Sequence, residues 1–257
     1  DYYTNWGTTY LYGPSKITSE KNYIYSEKGF YDTKKNISHF TKNALIKYKD
    51  RVIKADSLYY NRNTGFASAT ENINITDTIN HIVLKGDYAE YFEKKDSAFT
   101  VGRALAITNT NVDSLFIHGD TLLLTGKTEK RVIRAYHRVK FFKSDMSGKC
   151  DSIYSNQETG LTEMFKKPVL WSNGSQITGD SIKLLTNVLT EKLDSLKVLQ
   201  NAFIIQQDSL GFNQIKGKTL TGFFDENNTL KQVDIDKNAE SIFYARDENN
   251  VLFSIDK

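Results

Sequence analysis

The sequence predicts an all-β fold, an elongated antiparallel β-jelly roll built from about six to seven degenerate copies of a ~31-residue unit. Three observations carry this expectation. A pattern of a small residue, an acid and then alternating apolar positions recurs along the chain. Each copy holds a second run with period-two alternation, the mark of a strand with one inward face. Proline occurs twice in 257 residues, where average usage of roughly 5% would give about thirteen, and long unbroken ladders exclude it.

The first half of the unit reads Ala55-Asp56-Ser57-Leu58-Tyr59-Tyr60. It returns as Gly86-Asp87-Tyr88-Ala89-Glu90-Tyr91, Gly119-Asp120-Thr121-Leu122-Leu123-Leu124, Cys150-Asp151-Ser152-Ile153-Tyr154 and Gly179-Asp180-Ser181-Ile182-Lys183-Leu184. Worn copies begin at Ser19-Glu20 and Gly217-Lys218. Gly29, Gly65 and Gly160 each stand at the same distance after an acid and are expected to fix a turn, since glycine tolerates positive φ.

The second half supplies the alternating pairs Ile73/Ile75, Leu105/Ile107, Val139/Phe141, Val169/Trp171 and Phe203/Ile205. Stacked across copies, these are expected to form one inward apolar ladder. Leu58/Tyr60, Ala89/Tyr91, Leu122/Leu124, Ile153 and Ile182/Leu184 are expected to form a second. A dry core explains such ladders, and so does an apolar groove. Residues 189–200 also carry a weak amphipathic-helix pattern, but the repeat places Leu196-Lys197-Val198 on a strand.

Parallel β-helix coils and antiparallel hairpins both satisfy the pattern. Tight turn signals such as Asn61-Arg62-Asn63-Thr64-Gly65 favour hairpins, because parallel strands need longer crossovers. No Pro/Gly/Ser linker divides the chain. Residues 1–15 are therefore expected to be a loosely held lead-in and residues 16–257 a single repeat-built domain. Pro168 opens an alternating run, a position where a missing N–H is tolerated.

Composition narrows the function. The chain is 39% hydrophobic and 25% charged, which excludes disorder. No stretch approaches the ~20 apolar residues that cross a bilayer as a helix. The net charge of +3 gives no case for nucleic acid. Residues 127–149 are locally basic, and Arg131, Arg134, Arg138, Lys140 and Lys143 are the candidates to meet phosphates or an acidic partner. A solvated face is the competing explanation. The single cysteine, Cys150, reads as a small buried hydrophobe. The four histidines lack ligand spacing, so no metal and no cofactor is expected. The repeated Asp residues are expected to cap turns. No nucleophile or phosphate-loop motif is present, and no enzymatic activity is expected.

The run from Ile53 to Ile75, with Asn201-Ala202-Phe203-Ile204-Ile205 and Val169-Leu170-Trp171 followed by Gly179-Asp180-Ser181, resembles the OstA-like (organic solvent tolerance) family of lipopolysaccharide-transport proteins, in its Bacteroidetes-type form. The resemblance spans residues 16–245 and rests on repetition of a short motif. It implies a twisted, open-ended jelly roll, or β-taco, in the periplasm, with any targeting segment removed ahead of Asp1. It implies an interior that holds the acyl chains of lipopolysaccharide or a lipid A-like lipid, and edges that join other jelly rolls or a second copy. The groove candidates are then Ile73, Ile75, Leu105, Ile107, Leu122, Leu124, Val139, Phe141, Val169, Trp171, Phe203 and Ile205. Lys47 and Ser241 depart from the apolar pattern at its two ends. A closed-core interaction or glycan-binding module is the alternative. A β-helix polysaccharide enzyme is a third, and it lacks clustered carboxylates.

Overall fold

The computed structural model describes all residues except 1, 4, 21, 49, 80, 110–112, 128–129, 226–229, 248–250 and 257. The chain divides into two compact units, residues 1–135 and 136–257. The first contains β1 (Tyr2–Tyr3), β2 (Thr8–Leu11), β3 (Ser15–Thr18), β4 (Asn22–Ser26), β5 (Lys28–Asp32), β6 (Ile37–Tyr48), β7 (Arg51–Asn61), β8 (Phe66–Asp77), β9 (Ile82–Phe92), β10 (Ser97–Asn109) and β11 (Ser114–Thr125). The boundary falls inside β12 (Val132–Phe142). The second unit continues with β13 (Met146–Asn156), β14 (Leu161–Phe165), β15 (Val169–Ser172), β16 (Ser175–Thr178), β17 (Ser181–Thr186), β18 (Leu193–Gln207), β19 (Phe212–Phe224), β20 (Leu230–Asp236), β21 (Glu240–Arg246) and β22 (Leu252–Asp256).

The fold is all-β and its pairings are antiparallel, as the tight turns predict. β6 to β11 form a meander in which each strand pairs with the next. Elsewhere two short strands replace one long one: β4 and β5 flank β6, β14 and β15 flank β13, β16 and β17 flank β18, and β20 and β21 flank β19. Leu196 and Val198 are buried on β18, so the strand expectation for residues 189–200 holds from Leu193 onward.

A break at mid-length in alternate strands, or between the two short strands that replace one, is the organising feature. Seven pairs of consecutive residues adopt φ between +50° and +71°: Lys42-Asn43, Glu71-Asn72, Gly102-Arg103, His137-Arg138, Lys166-Lys167, Gln200-Asn201 and Lys237-Asn238. A left-handed L-residue costs on the order of 1 kcal/mol or more, so a double one needs compensation. The ladder register shifts at these pairs, between Thr41 and Ala44, Thr70 and Ile73, Val101 and Ala104, and Leu199 and Ala202.

The strands turn back on themselves at the level of these pairs. Tyr91 lies in the same cross-strand row as Tyr60, through Ala67. A straight β7 would hold Arg51 roughly 30 Å from that row, about twice the combined reach of an Arg and a Tyr side chain. Yet Arg51 Nη1 donates to Tyr91 Oη at 3.4 Å. The two halves of the strands therefore face one another within the first unit. Phe40, Leu58, Ala69 and Ala89 from one half share a core with Ala44, Ala55 and Ile73 at the crease, and Ile46, Ile53 and Ile75 from the other half pack against it.

The repeat motif now has a physical reason. Its small residue sits inside the crease, where the halves converge. A Cβ on Gly86 would stand 2.2 Å from Thr100 Oγ1, and one on Gly179 would stand 2.3 Å from Val198 Cγ1. Its Asp takes the side chain of the neighbouring left-handed pair. Asn72 Nδ2 donates to Asp56 at 2.8 Å, Arg103 Nε to Asp87 at 3.1 Å and Asn201 Nδ2 to Asp180 at 3.1 Å, while Lys166 Nζ lies 3.0 Å from Asp151.

Four expectations need correction. These Asp residues do not cap the turns. That role falls to Asn61, Asn156, Asn187, Asp32 and Asp208, whose side-chain oxygens accept backbone N–H groups two or three residues on. Gly29 is not at a turn. It lies in β5, and its missing Cβ leaves room for His39 O and Phe40, whereas Gly65 and Gly160 do adopt positive φ. Residues 8–11 of the expected lead-in form β2, which pairs with β5 and buries Thr8 and Leu11. Lys47 breaks no ladder. It faces outward beside the inward Ile46, with Nζ 5.7 Å from the Tyr23 ring centre.

Asn201→Val should cost about 1–2 kcal/mol in urea unfolding, because a β-branched residue resists positive φ, while Asn201→Gly should be tolerated. A second test concerns Asp208, whose carboxyl Arg246 holds down at about 2, from 3.8, by a hydrogen bond of 2.6 Å. A lowered carboxylate value stabilises the folded state above the ordinary value, and that contribution is lost as pH falls through the folded one. Wild type should therefore exceed Asp208→Asn in stability above about pH 4, the difference closing towards pH 2 in acid-unfolding curves.

Candidate functional site

Two inward rows cross the strands of the first unit. One runs through Leu11, Phe40, Leu58, Ala69, Ala89, Thr100 and Leu122, each in register with the next strand and each buried. The other runs Ile17, Ile24, Ile46, Ile53, Ile75, Leu84, Ala106 and Ile117. Its last three members are buried, but the five isoleucines keep part of their surface exposed although they face inward. In the second unit the counterpart of the first row, Ile153, Met164, Ile182, Val198 and Leu220, is likewise buried throughout.

The expected groove residues divide between the two faces. Ile73, Ile75, Leu122, Leu124, Val139 and Phe141 face inward. Leu105, Ile107, Val169, Trp171, Phe203 and Ile205 lie on the opposite face. Leu105 pairs with Lys85 and His118, Phe203 with Lys216, and Trp171 with Gln176, to which its indole N–H donates at 3.0 Å. The inward positions in those copies are Ala104/Ala106, Leu170 and Ala202/Ile204.

The left-handed pair explains the error. The residue directly after six of the seven pairs turns inward: Ala44, Ile73, Ala104, Val139, Pro168 and Ala202 are all buried, while Ala239 after the last pair is exposed. Where that position holds alanine or proline, the bulkier neighbour imitates the core residue and the alternation is read one residue out of phase. The polar pair before each of these small or branched residues (Lys42-Asn43, Glu71-Asn72, Gln200-Asn201) was the signal that sets the phase. It also leads to Ile46, Ile53 and Leu84, which the sequence reading missed.

The basic candidates are divided between the two units. Arg131 and Arg134 belong to the first unit, and Arg134 Nη1 donates to Thr125 Oγ1 at 3.3 Å. Arg138 and Lys140 project outward from β12 in the second unit, on the face opposite Val139 and Phe141, as their alternation predicts. Lys143 Nζ stands 3.6 Å from Asp145. His39 bonds Ser57 Oγ at 2.8 Å and His118 bonds Ala104 O at 3.0 Å, which are structural contacts between strands. Among the described residues no group of three His, Cys, Asp or Glu is placed to hold a metal. Among the described residues no helix is long and apolar enough to cross a membrane.

No family model matches the sequence, and no curated protein matches it. Among solved structures the chain is similar to LptH of Pseudomonas aeruginosa, described as the LptA-homologous periplasmic component of the conserved lipopolysaccharide transport device. The TM-score is 0.37 and the identity 16%, over 41% of this chain and 75% of LptH.

Cys150 holds the small-residue position of its copy and is buried, and burial pushes its thiol up to about 12. The thiol form is therefore favoured at neutral pH. Iodoacetamide should leave native protein unlabelled at pH 8 and should label it fully in denaturant, as read by mass spectrometry.

Proposed function

We propose that the protein is a non-enzymatic periplasmic carrier or bridge for lipopolysaccharide or a lipid A-like lipid on its way to the outer membrane. The observation that supports this best is the row of five inward isoleucines whose surface stays partly exposed. A closed core would bury them. Exposed apolar surface on an inward face favours an apolar ligand, and each methylene it covers contributes about 0.8 kcal/mol. The OstA-like character of the repeat supports the same reading. Transfer along a series of jelly rolls, or between copies, needs open strand edges. β3 and β22 each pair on one side only among the described residues, a geometry suited to strand addition.

One observation favours an outward-facing glycan contact instead. Rings of Tyr10, Phe30, His39, Tyr59, Phe66 and Phe92 succeed one another at 5.3–6.3 Å on the outer face, and the chain of rings extends to exposed Trp6 and Tyr12. Aromatic faces of this kind suit sugar rings.

Site-specific photo-crosslinkers separate the two. Placed at Ile53 or Ile75 in the presence of lipopolysaccharide, they should give lipid adducts, and at outward Ile107 they should not. Adducts at Tyr12 or Tyr59 with none at Ile53 and Ile75 would support the glycan-binding reading.

A further inference from the structure

The inward positions of β6 to β11 are apolar or uncharged with two exceptions among the described residues, Arg51 and Asp77. They are cross-strand partners at the end of the rows farthest from the crease, where the two halves of the bent strands open to solvent. Arg51 Nε lies 3.3 Å from Asp77 Oδ2, and their side chains are 41% and 14% exposed. Arg51 also reaches across to the facing half, with Nη1 on Tyr91 Oη at 3.4 Å and the guanidinium 5.7 Å from the Tyr91 ring centre. The next inward residues toward the crease are Ile53 and Ile75, which are themselves paired.

A cation is costly on an apolar inward face unless it is paired, and an aliphatic residue would extend the isoleucine row without that cost. The Tyr91 contact at 3.4 Å is long for a hydrogen bond to a charged donor, so a stronger acceptor can replace it. Apolar side chains lie inside and the Arg51 guanidinium, paired with Asp77 and 41% exposed, stands at the mouth, an order that suits an amphiphile with an anionic head. We propose that Arg51 binds the anionic headgroup, of phosphate type, of an amphiphile whose chains lie along Ile53 and Ile75, and that Tyr91 Oη is the contact the headgroup displaces. This rests on the carrier reading and adds to it a residue and a headgroup chemistry.

The test compares dodecyl phosphate with dodecyl maltoside, which has the same chain and an uncharged head, by displacement of a fluorescent apolar dye from the full chain. Arg51→Gln should weaken dodecyl phosphate about tenfold, the worth of one charge-assisted contact, and leave the maltoside unchanged. Arg51→Lys should retain most of the phosphate affinity. Tyr91→Phe removes the competing hydroxyl and should tighten dodecyl phosphate alone. Equal loss of both probes in Arg51→Gln would mark a structural role and overturn the proposal. Unchanged phosphate affinity in Arg51→Gln would do the same while leaving the carrier reading standing. Should Arg51→Gln fail to fold, unchanged phosphate affinity in Tyr91→Phe overturns it. Wild type that binds neither probe overturns the carrier reading and this proposal together.

Discussion

The strands of the first unit double back, and alternate strands mark the bend by placing two successive residues in the left-handed region, which L-residues rarely adopt. The cost is met locally. An Asp on the adjacent strand takes the side chain of the left-handed residue, as Asp56 does with Asn72 and Asp180 with Asn201. Glycine supplies the first of the pair at position 102, where a Cβ would stand 2.7 Å from Asp87 Cβ. The exposed ion pairs among these contacts are worth little singly. Their recurrence from copy to copy keeps every strand bent at the same level, so that the halves stack into two facing walls within the first unit.

The bend also grades the inward face. Beside the crease most inward side chains are small, with Ala44, Ala55, Gly86, Ala104 and Gly119 there and Ile73 packed over Gly86. One step outward the walls diverge and isoleucine and leucine fit: Ile46, Ile53, Ile75, Leu84 and Ile117. One step further stand Tyr48, Arg51 and Asp77. The trend from small to large apolar side chains follows the separation of the walls, and the outermost row adds Arg51 and Asp77 to an inward face otherwise uncharged among the described residues. Interior packing is complete in the row of Leu58 and incomplete in the row of isoleucines, which leaves apolar surface there for a ligand to cover.

The strands, their antiparallel order and the repeat were legible because they rest on local signals: alternation, turn residues and the scarcity of proline. The inward face was legible at Ile73 and Val139, where the residue after the left-handed pair is large. It was not legible at Ala104 or Ala202, because a small crease residue carries little hydrophobic signal and Leu105 and Phe203 beside it carry much. Slipping one residue exchanges the two faces of a strand, and half of the groove candidates changed sides for this reason. The role of the repeated Asp was hidden for a different reason. Its partner lies on the next strand, and the pairing requires the register that only the folded chain supplies. Arg51 is a related case: at a strand end it reads as an ordinary solvated cation until the bend brings Tyr91 across to it.

The central claim is that the isoleucine wall holds lipid chains. Native mass spectrometry of the folded chain titrated with lipid A tests it most directly. The account predicts discrete lipid adducts that are abolished when Ile53 and Ile75 are together replaced by glutamine and persist when outward Leu105 and Ile107 are replaced likewise. Folded wild-type protein that carries no adduct across the titration, or adducts lost only with the outward pair, would contradict it.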